Sequence, residues 1–554
     1  MQTKRPNILI ITSDQQRKDS MGCYNDKLQT PGLDSLAKDG VVFDRSYICH
    51  PTCTPSRASI LTGQLGSKHG AYTIGTGLKE DVPMFSKTLH DEGYETYFIG
   101  KPHFQQLSTP GTMEYSGFGK DEEFFRKFEG GYYGFDHTRM YNGHTKYLAT
   151  ASMHYYVWLR DKGLSPEEIE GLFNYVPSDE FREHGAWHID RELHPSVFTS
   201  DETITFLSNH DQEKPFAMWV SFSDPHDPHV APEPYASMYD PEEVNYLGYV
   251  EGEHDNRPDC YNQLYHEGLE ALPFHDGIGV PSAPTGKTFG DDTYFKEITA
   301  IHHGMVKLMD EEIEKIIAKL KELDMYDNTL IIYSTDHGDY LGNHGYVYKG
   351  FPAFEEVYNT PFLVKNINQE NAGKRSDALV SHLDIATTVL DAAGVNVANT
   401  EGWDTQDGTS MMEVFTGKKD KIHDYVLIEN RPVQKGFYQK MIVTDEYKLV
   451  MYMDSTQGEL YNLKEDKDQY NNLWDDAEFQ ELKLELLKKI YHKGENKFSL
   501  SASVISPLQA SEITGLKYET TNADSNKLTT EEILELMWQQ MKAEEPVSVR
   551  TSYS

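Results

Sequence analysis

Cys53-Thr54-Pro55-Ser56-Arg57 runs on into Ala58-Ser59-Ile60-Leu61-Thr62-Gly63, and the reading of this stretch decides the reading of the chain. The spacing C-x-P-x-R is by itself short enough to arise by accident in a long chain. A single cysteine beside a turn proline is most simply a buried core thiol. The continuation S-R-x-S-x-L-T-G lengthens the pattern beyond what accident readily gives and marks Cys53 as a chemical group rather than a packing group.

The surroundings are those of an α/β domain. Residues 7–12 are a short continuous apolar run, as in a parallel strand buried on both faces. Thr30 is placed as an N-cap with Pro31 at the first helical position. Strands are expected at 41–43, 96–99, 216–222, 329–334 and 361–364, and helices at 85–93, 295–323 and 382–393. Strands alternating with helices argue for a mostly parallel sheet, with ligands at the C-terminal ends of its strands. Past a break near 415–422 come short strands at 424–429, 440–443 and 447–452, then Glu459–Leu463 and a helix at 477–492. One more helix is expected from Thr530 to Lys542.

With 554 residues, 38% hydrophobic and 25% charged, the chain can bury a large core and is expected to hold more than one domain. No apolar run of about 18 residues is present, so no transmembrane helix is expected. The N-terminal apolar stretch is too short for a signal segment, and a cytoplasmic location is the expectation. Four cysteines, Cys23, Cys49, Cys53 and Cys260, make no disulfide framework. The net charge of −38 disfavours nucleic-acid and anionic-membrane partners. Any site for an anion must therefore carry its own local cations.

The Cys53 stretch resembles the signature of the type I, formylglycine-dependent sulfatases of the alkaline phosphatase superfamily. Separated blocks in the order of that family strengthen the resemblance: Asp14-Gln15 after the first strand, Gly100-Lys101-Pro102-His103, Pro225-His226-Asp227-Pro228-His229, Asp336-His337 and His344-x-x-x-x-Lys349. The resemblance implies oxidation of Cys53 to an aldehyde by a formylglycine-generating maturation enzyme. The aldehyde hydrate would attack sulfur and later expel sulfate. It also implies a divalent metal on Asp14, Gln15, Asp336, His337 and the residue-53 oxygen. Where the family usually has Asp-Asp, this chain has Asp14-Gln15, and Gln15 offers a carbonyl oxygen. An oxygen-rich set favours Ca²⁺ or Mg²⁺. His337 pulls toward Mn²⁺, and Ca²⁺ is the family's usual ion.

Carried over residue by residue, Lys101 and Lys349 are expected to clamp the sulfate. His103 accepts the proton when the hydrate collapses. His226 protonates the leaving oxygen, and Arg57 balances the metal-site carboxylates and holds the hydrate oxygen. His229 is placed at the substrate ring. The segment 105–200, rich in Tyr, Phe, Trp and His, reads as an insertion whose Arg182 and Trp187 line the pocket mouth. The implied organisation is a catalytic α/β domain at 1–418 with an alkaline-phosphatase-like sheet flanked by helices. A smaller antiparallel subdomain follows at 419–494, then a C-terminal extension at 495–554 through which a homo-oligomer is expected to form. The implied function is exo-acting hydrolysis of small sulfated mono- or oligosaccharides. Aryl or steroid sulfate hydrolysis and phosphonate monoester or phosphodiester hydrolysis are the alternatives.

Overall fold

The computed structural model describes residues 5–492 except 107–111, 116–118, 174–182, 269–290, 368, 370, 432–437 and 453–454. The expected helix at 530–542 lies outside the described residues. Fourteen strands are described: β1 (Asn7–Ser13), β2 (Val41–Tyr47), β3 (Glu95–Gly100), β4 (His137–Met140), β5 (His184–Ala186), β6 (Phe216–Ser221), β7 (His229–Ala231), β8 (Thr329–Thr335), β9 (Phe362–Lys365), β10 (Lys374–Ser381), β11 (Tyr425–Asn430), β12 (Gln439–Thr444), β13 (Tyr447–Tyr452) and β14 (Gly458–Asn462). Eight of them form one sheet in the order β10-β2-β9-β8-β1-β6-β3-β4, in which every pairing is parallel except those of β9.

β1 sits near the centre and is buried along its whole length. Its alternation divides it between two cores. Ile8 and Ile10 join the core that contains Ala58, Ile60 and Leu61 of helix Cys53–Thr62 and Ile385, Val389 and Leu390 of helix Asp384–Ala392. Leu9 and Ile11 join the core under helix Asp292–Glu322, which contributes Val306, Met309, Ile313, Ile317 and Leu320. That helix is amphipathic by its three- and four-residue apolar spacing, and it lies flat on the sheet. The result is a sheet between two helical layers.

The sheet and most of the expected elements agree with the sequence reading, with three differences. Thr30 makes no side-chain cap. Its hydroxyl instead donates to Asp34 Oδ1 at 3.2 Å and accepts from the Gly22 amide at 2.9 Å. The free amides of that helix, Gly32 N and Leu33 N, are taken by the Asp310 carboxylate of the long helix at 3.3 and 2.7 Å. Second, residues 105–200, read as an insertion, also supply β4, the edge strand beside β3. Third, many of their aromatic residues are core. Tyr132, Tyr133 and Phe135 pack with Phe98, Phe104 and Trp219.

β11–β14 make a separate antiparallel sheet backed by helix Gln480–His492. Its inner face, Val426, Ile428, Met441, Val443 and Val450, packs on Tyr340, Tyr346, Phe351 and Phe354. Buried Glu459 of β14 accepts hydrogen bonds from Tyr261, Tyr452 and Tyr461. The segment carrying Lys349 is thereby held between the large and small sheets.

Asp310→Ala should lower stability by about 1–3 kcal/mol, because two buried helix amides lose their acceptor. The urea midpoint should fall with little change in the denaturant slope.

Candidate active site

Four adjacent parallel strands, β8, β1, β6 and β3, end at the same edge of the sheet. Asp14 and Gln15 follow β1, Asp336 and His337 follow β8, Lys101 and His103 follow β3, and His226 lies on the loop after β6. Register does the positioning. Ser13 pairs with Thr335, so the residues just beyond them meet, and the Gln15 amide donates to Asp336 Oδ1 at 3.1 Å. Lys101 N donates to Ser221 O at 2.9 Å. Gly100 makes this approach possible. Its φ is +101°, and a Cβ there would lie 1.8 Å from Ser221 O. Gln15 and His103 also hold positive φ, 63° and 57°, the kind of backbone strain that clusters at functional sites.

Cys53 is the first residue of a helix whose residues are all buried. Its Sγ lies 3.2 Å from His337 Nε2, 3.3 Å from Lys349 Nζ and 3.8 Å from Asp14 Oδ1. Burial, followed by the Asp14 charge, pushes its thiol up to about 11 against the pull of Lys349 and Lys101. A thiol held neutral at physiological pH is a poor thiolate nucleophile.

Arg57, one helical turn on, is fully buried. Nε donates to Asp336 Oδ2 at 2.9 Å and Nη2 to Asp14 Oδ2 at 3.2 Å, while Nη1 donates to Lys101 O and Ser221 Oγ. Among the described residues its hydrogen bonds go to the two carboxylates and their scaffold, with none to Cys53, where part of its expected role lay. Asp14 also pairs with Lys101. Burial works against its charge, but Lys101, His226, Arg57 and Lys349 together hold its carboxyl well below the usual range.

Asp14, Cys53, Asp336 and His337 each offer a ligand atom within 4.8 Å of the others. His337 Nδ1 donates to Gly338 O at 3.0 Å, which leaves Nε2 as a lone pair facing Cys53. Burial keeps that ring neutral, with its pKa lowered to about 4. Two carboxylates and a neutral imidazole with its tautomer fixed from behind suit a divalent cation. Gln15 stands beside them, with Oε1 accepting from Lys349 at 2.7 Å and Nε2 donating to Asp227 and Asp339 at 3.1 and 2.6 Å.

Lys349 reaches His226 Nε2 as well as Gln15 and Cys53. Burial alone would lower its pKa, but Cys53, Asp14, Asp227 and Asp336 hold it above the usual lysine value. His103 is buried with neither ring nitrogen hydrogen-bonded among the described residues. Burial and then Lys101 hold its pKa well below the ordinary histidine value, leaving a neutral base. Its loop is anchored by buried Glu114, which accepts from the Phe104 and Gln105 amides at 2.8 and 2.9 Å.

His144 joins this group without having been read from the sequence. Its ring stacks on His226 at 3.5 Å and 7°, and its Nδ1 lies 2.6 Å from Lys101 Nζ. It stands just beyond β4, so an expected strand there would have been the signal. His229 begins β7, pairs in register with His184 of β5, and lies 3.6 Å from Asp339. Trp187 does not line a mouth. It is 2% exposed, donates its indole N–H to Leu172 O and meets Phe173 edge-on in the segment's own core. Arg182 lies outside the described residues.

Residues 6–395 match the family model described as Sulfatase, and residues 342–496 match that of the N-sulphoglucosamine sulphohydrolase C-terminal region. An arylsulfatase of Clostridium perfringens is 27% identical over 88% of this chain and 94% of its own length. An N-acetylglucosamine-6-O-sulfatase of Bacteroides thetaiotaomicron is 26% identical over 88% of this chain and 86% of its own. Among solved structures, a phosphonate monoester hydrolase from Silicibacter pomeroyi superposes with a TM-score of 0.69 at 22% identity, covering 90% of this chain and 97% of that one. The fold is thus alkaline-phosphatase-like.

Arg57→Met keeps volume and removes the cation shared by two buried carboxylates, so stability should fall by about 3–5 kcal/mol. The Asp14 contribution exists because its folded pKa lies below the unfolded value of about 3.9. It is present above that value and lost as pH falls through the folded one. In the variant the folded pKa rises, so acid unfolding followed by circular dichroism should begin at a higher pH.

Proposed function

The chain belongs to the sulfatase family, and from that membership we propose hydrolysis of the sulfate ester of a small sulfated saccharide, with residue 53 matured to formylglycine. The chain is a sulfuric ester hydrolase. Its maturation would need a formylglycine-generating enzyme. The cation, Ca²⁺ as first choice, would be held by Asp14, Asp336, His337, the Gln15 amide oxygen and the residue-53 oxygen, whose place Cys53 Sγ takes here. When present, formylglycine supplies a hydrated-aldehyde nucleophile and the cation polarises the sulfate.

The chain's own residues do the rest. Lys349, in contact with residue 53, and Lys101, paired with Asp14 beside it, hold sulfate oxygens as point charges. His226 Nε2 donates a proton to the leaving oxygen. His144 holds the plane of that ring and meets Lys101. His103, neutral and without a hydrogen-bond partner among the described residues, accepts a proton. Arg57 helps keep Asp14 ionised and aims both Asp14 and Asp336.

The observation that carries this reading is the buried cluster of Asp14, Cys53, Asp336 and His337 ringed by Lys101, Lys349 and Arg57. A proton donor matters most for alcohol leaving groups, whose pKa of about 16 makes them poor without one. This and the N-acetylglucosamine-6-O-sulfatase relative favour sugar sulfates over aryl sulfates. A phosphonate monoester or phosphodiester hydrolase is the second reading, on the Asp14-Gln15 and Asp336-His337 pattern.

Three experiments test the proposal. Mass spectrometry of the Cys53 peptide should show aldehyde in place of thiol. Cys53→Ala should reduce sulfate release to background in a screen of defined sulfated sugars, with 4-nitrophenyl sulfate and a phosphodiester as controls. An unconverted Cys53 in fully active enzyme refutes the nucleophile, and preferred phosphodiester turnover selects the second reading. Asp14→Ala and Asp336→Ala should each lower bound metal per protein, measured by elemental analysis. Unchanged metal content in both would move the cation elsewhere.

A further inference from the structure

His226 is gripped in a way its proposed role does not by itself require. Its Nδ1 lies 2.8 Å from the backbone oxygen of Asp227 and 3.0 Å from Asp227 Oδ1. Both partners accept, so Nδ1 carries the hydrogen and Nε2 is the atom turned to the reaction chamber, where it meets Lys349. The Asp227 carboxylate is buried, and Oδ1 also accepts from Gln15 Nε2 at 3.1 Å. The ring plane is set independently by the parallel His144 ring, 3.5 Å away. Thr145 Oγ1 ties the His226 carbonyl at 2.9 Å.

We infer that Asp227 is the positioning residue for the proton donor, holding His226 in the one tautomer and rotation that aims Nε2 at the leaving oxygen. The inference rests on the donor role of His226 proposed above. As the S–O bond breaks, its electron pair stays on the leaving oxygen, and the proton that Nε2 carries in the imidazolium form of His226, once Lys349 has turned from it to the sulfate, moves to that oxygen. His226 is left neutral with its Nδ1 hydrogen still on Asp227. The fixed Nδ1–H···O bonds prevent a ring flip that would present the wrong nitrogen. The arrangement is physically that of a carboxylate orienting a catalytic imidazole. Here it is built from the residue next in sequence.

The test uses the matured full-length enzyme and a series of substituted phenyl sulfates, from 4-nitrophenyl to 4-methoxyphenyl. Loss of proton donation steepens the dependence of kcat/KM on leaving-group pKa. Asp227→Ala should steepen it, with a loss on the order of 10-fold or more for 4-methoxyphenyl sulfate and a much smaller one for 4-nitrophenyl sulfate. Asp227→Asn should recover part of the loss, because the amide oxygen still accepts from Nδ1–H. In the His226→Ala background, Asp227→Ala should add little, since it acts through the ring already removed.

Equal losses along the series for Asp227→Ala, or full additivity with His226→Ala, overturn the assignment. If Asp227→Ala does not fold, the same cycle run with Asp227→Asn decides it by the same criteria. Failure of the underlying reading looks different. There, His226→Ala itself loses activity evenly along the series, and the donor role falls together with that of Asp227. A steepened His226→Ala series with an additive Asp227 variant removes Asp227 alone.

Discussion

Two carboxylates with no solvent exposure stand at neighbouring strand ends, and Arg57 is what makes their burial tolerable. An unpaired charge in such a place would protonate or destabilise the fold. Here the guanidinium bonds Asp14 with one nitrogen and Asp336 with another, and its third nitrogen grips Lys101 O and Ser221 Oγ. One side chain therefore ties together the ends of β1, β8, β3 and β6. It can do so because the helix starting at Cys53 points into the strand ends, placing Arg57 beneath the group it supports. A lysine could reach one of these partners, whereas the fork of arginine reaches several with fixed geometry.

From that constraint the division of labour follows. Asp14, Asp336 and the neutral His337 ring gather around Cys53. Lys349 touches Cys53 and His226, while Lys101 pairs with Asp14 and touches His144. The site thus carries its own local cations. This explains how a chain of net charge −38 holds a site for an anionic group. The long-range field repels such a ligand, but buried cations in a low-dielectric chamber act at close range with far greater strength.

The fold was legible because β1, β6 and β8 are continuous apolar runs bounded by polar residues, which only a sheet covered on both faces explains. The blocks Asp14-Gln15, Lys101-x-His103, His226 and Asp336-His337 were legible through their resemblance to the family's motifs, in the family's order, and each lies beyond a strand end. What could not be read was set by tertiary partners. The Thr30 cap fails because Asp310, distant in sequence, supplies side-chain acceptors for the same helix end. Trp187 packs inward because Phe173 and the Leu172 carbonyl offer its ring and its N–H partners that a sequence window does not reveal. His144 escaped because β4 is a four-residue edge strand of His, Thr, Arg and Met, too short and too polar to stand out.

The strained positions close the argument. Gln15 and His103 hold left-handed φ, where a non-glycine side chain costs free energy, and Gly100 between two strand ends meets Ser221 O too closely for any Cβ. These residues lie immediately after the strands whose ends must converge. Continuing as extended chain, Gln15 would carry its side chain past the chamber. The turn at φ 63° brings its amide between Lys349 and the Asp227–Asp339 carboxylates. The same loop geometry that strains the backbone thus connects the two halves of the site. On one side lie the residues around Cys53, and on the other the His226–Asp227 pair. Packing of the large sheet supplies the rigidity that holds this strain, because Gln15 and His103 follow β1 and β3 by two and three residues and both strands are paired on each side.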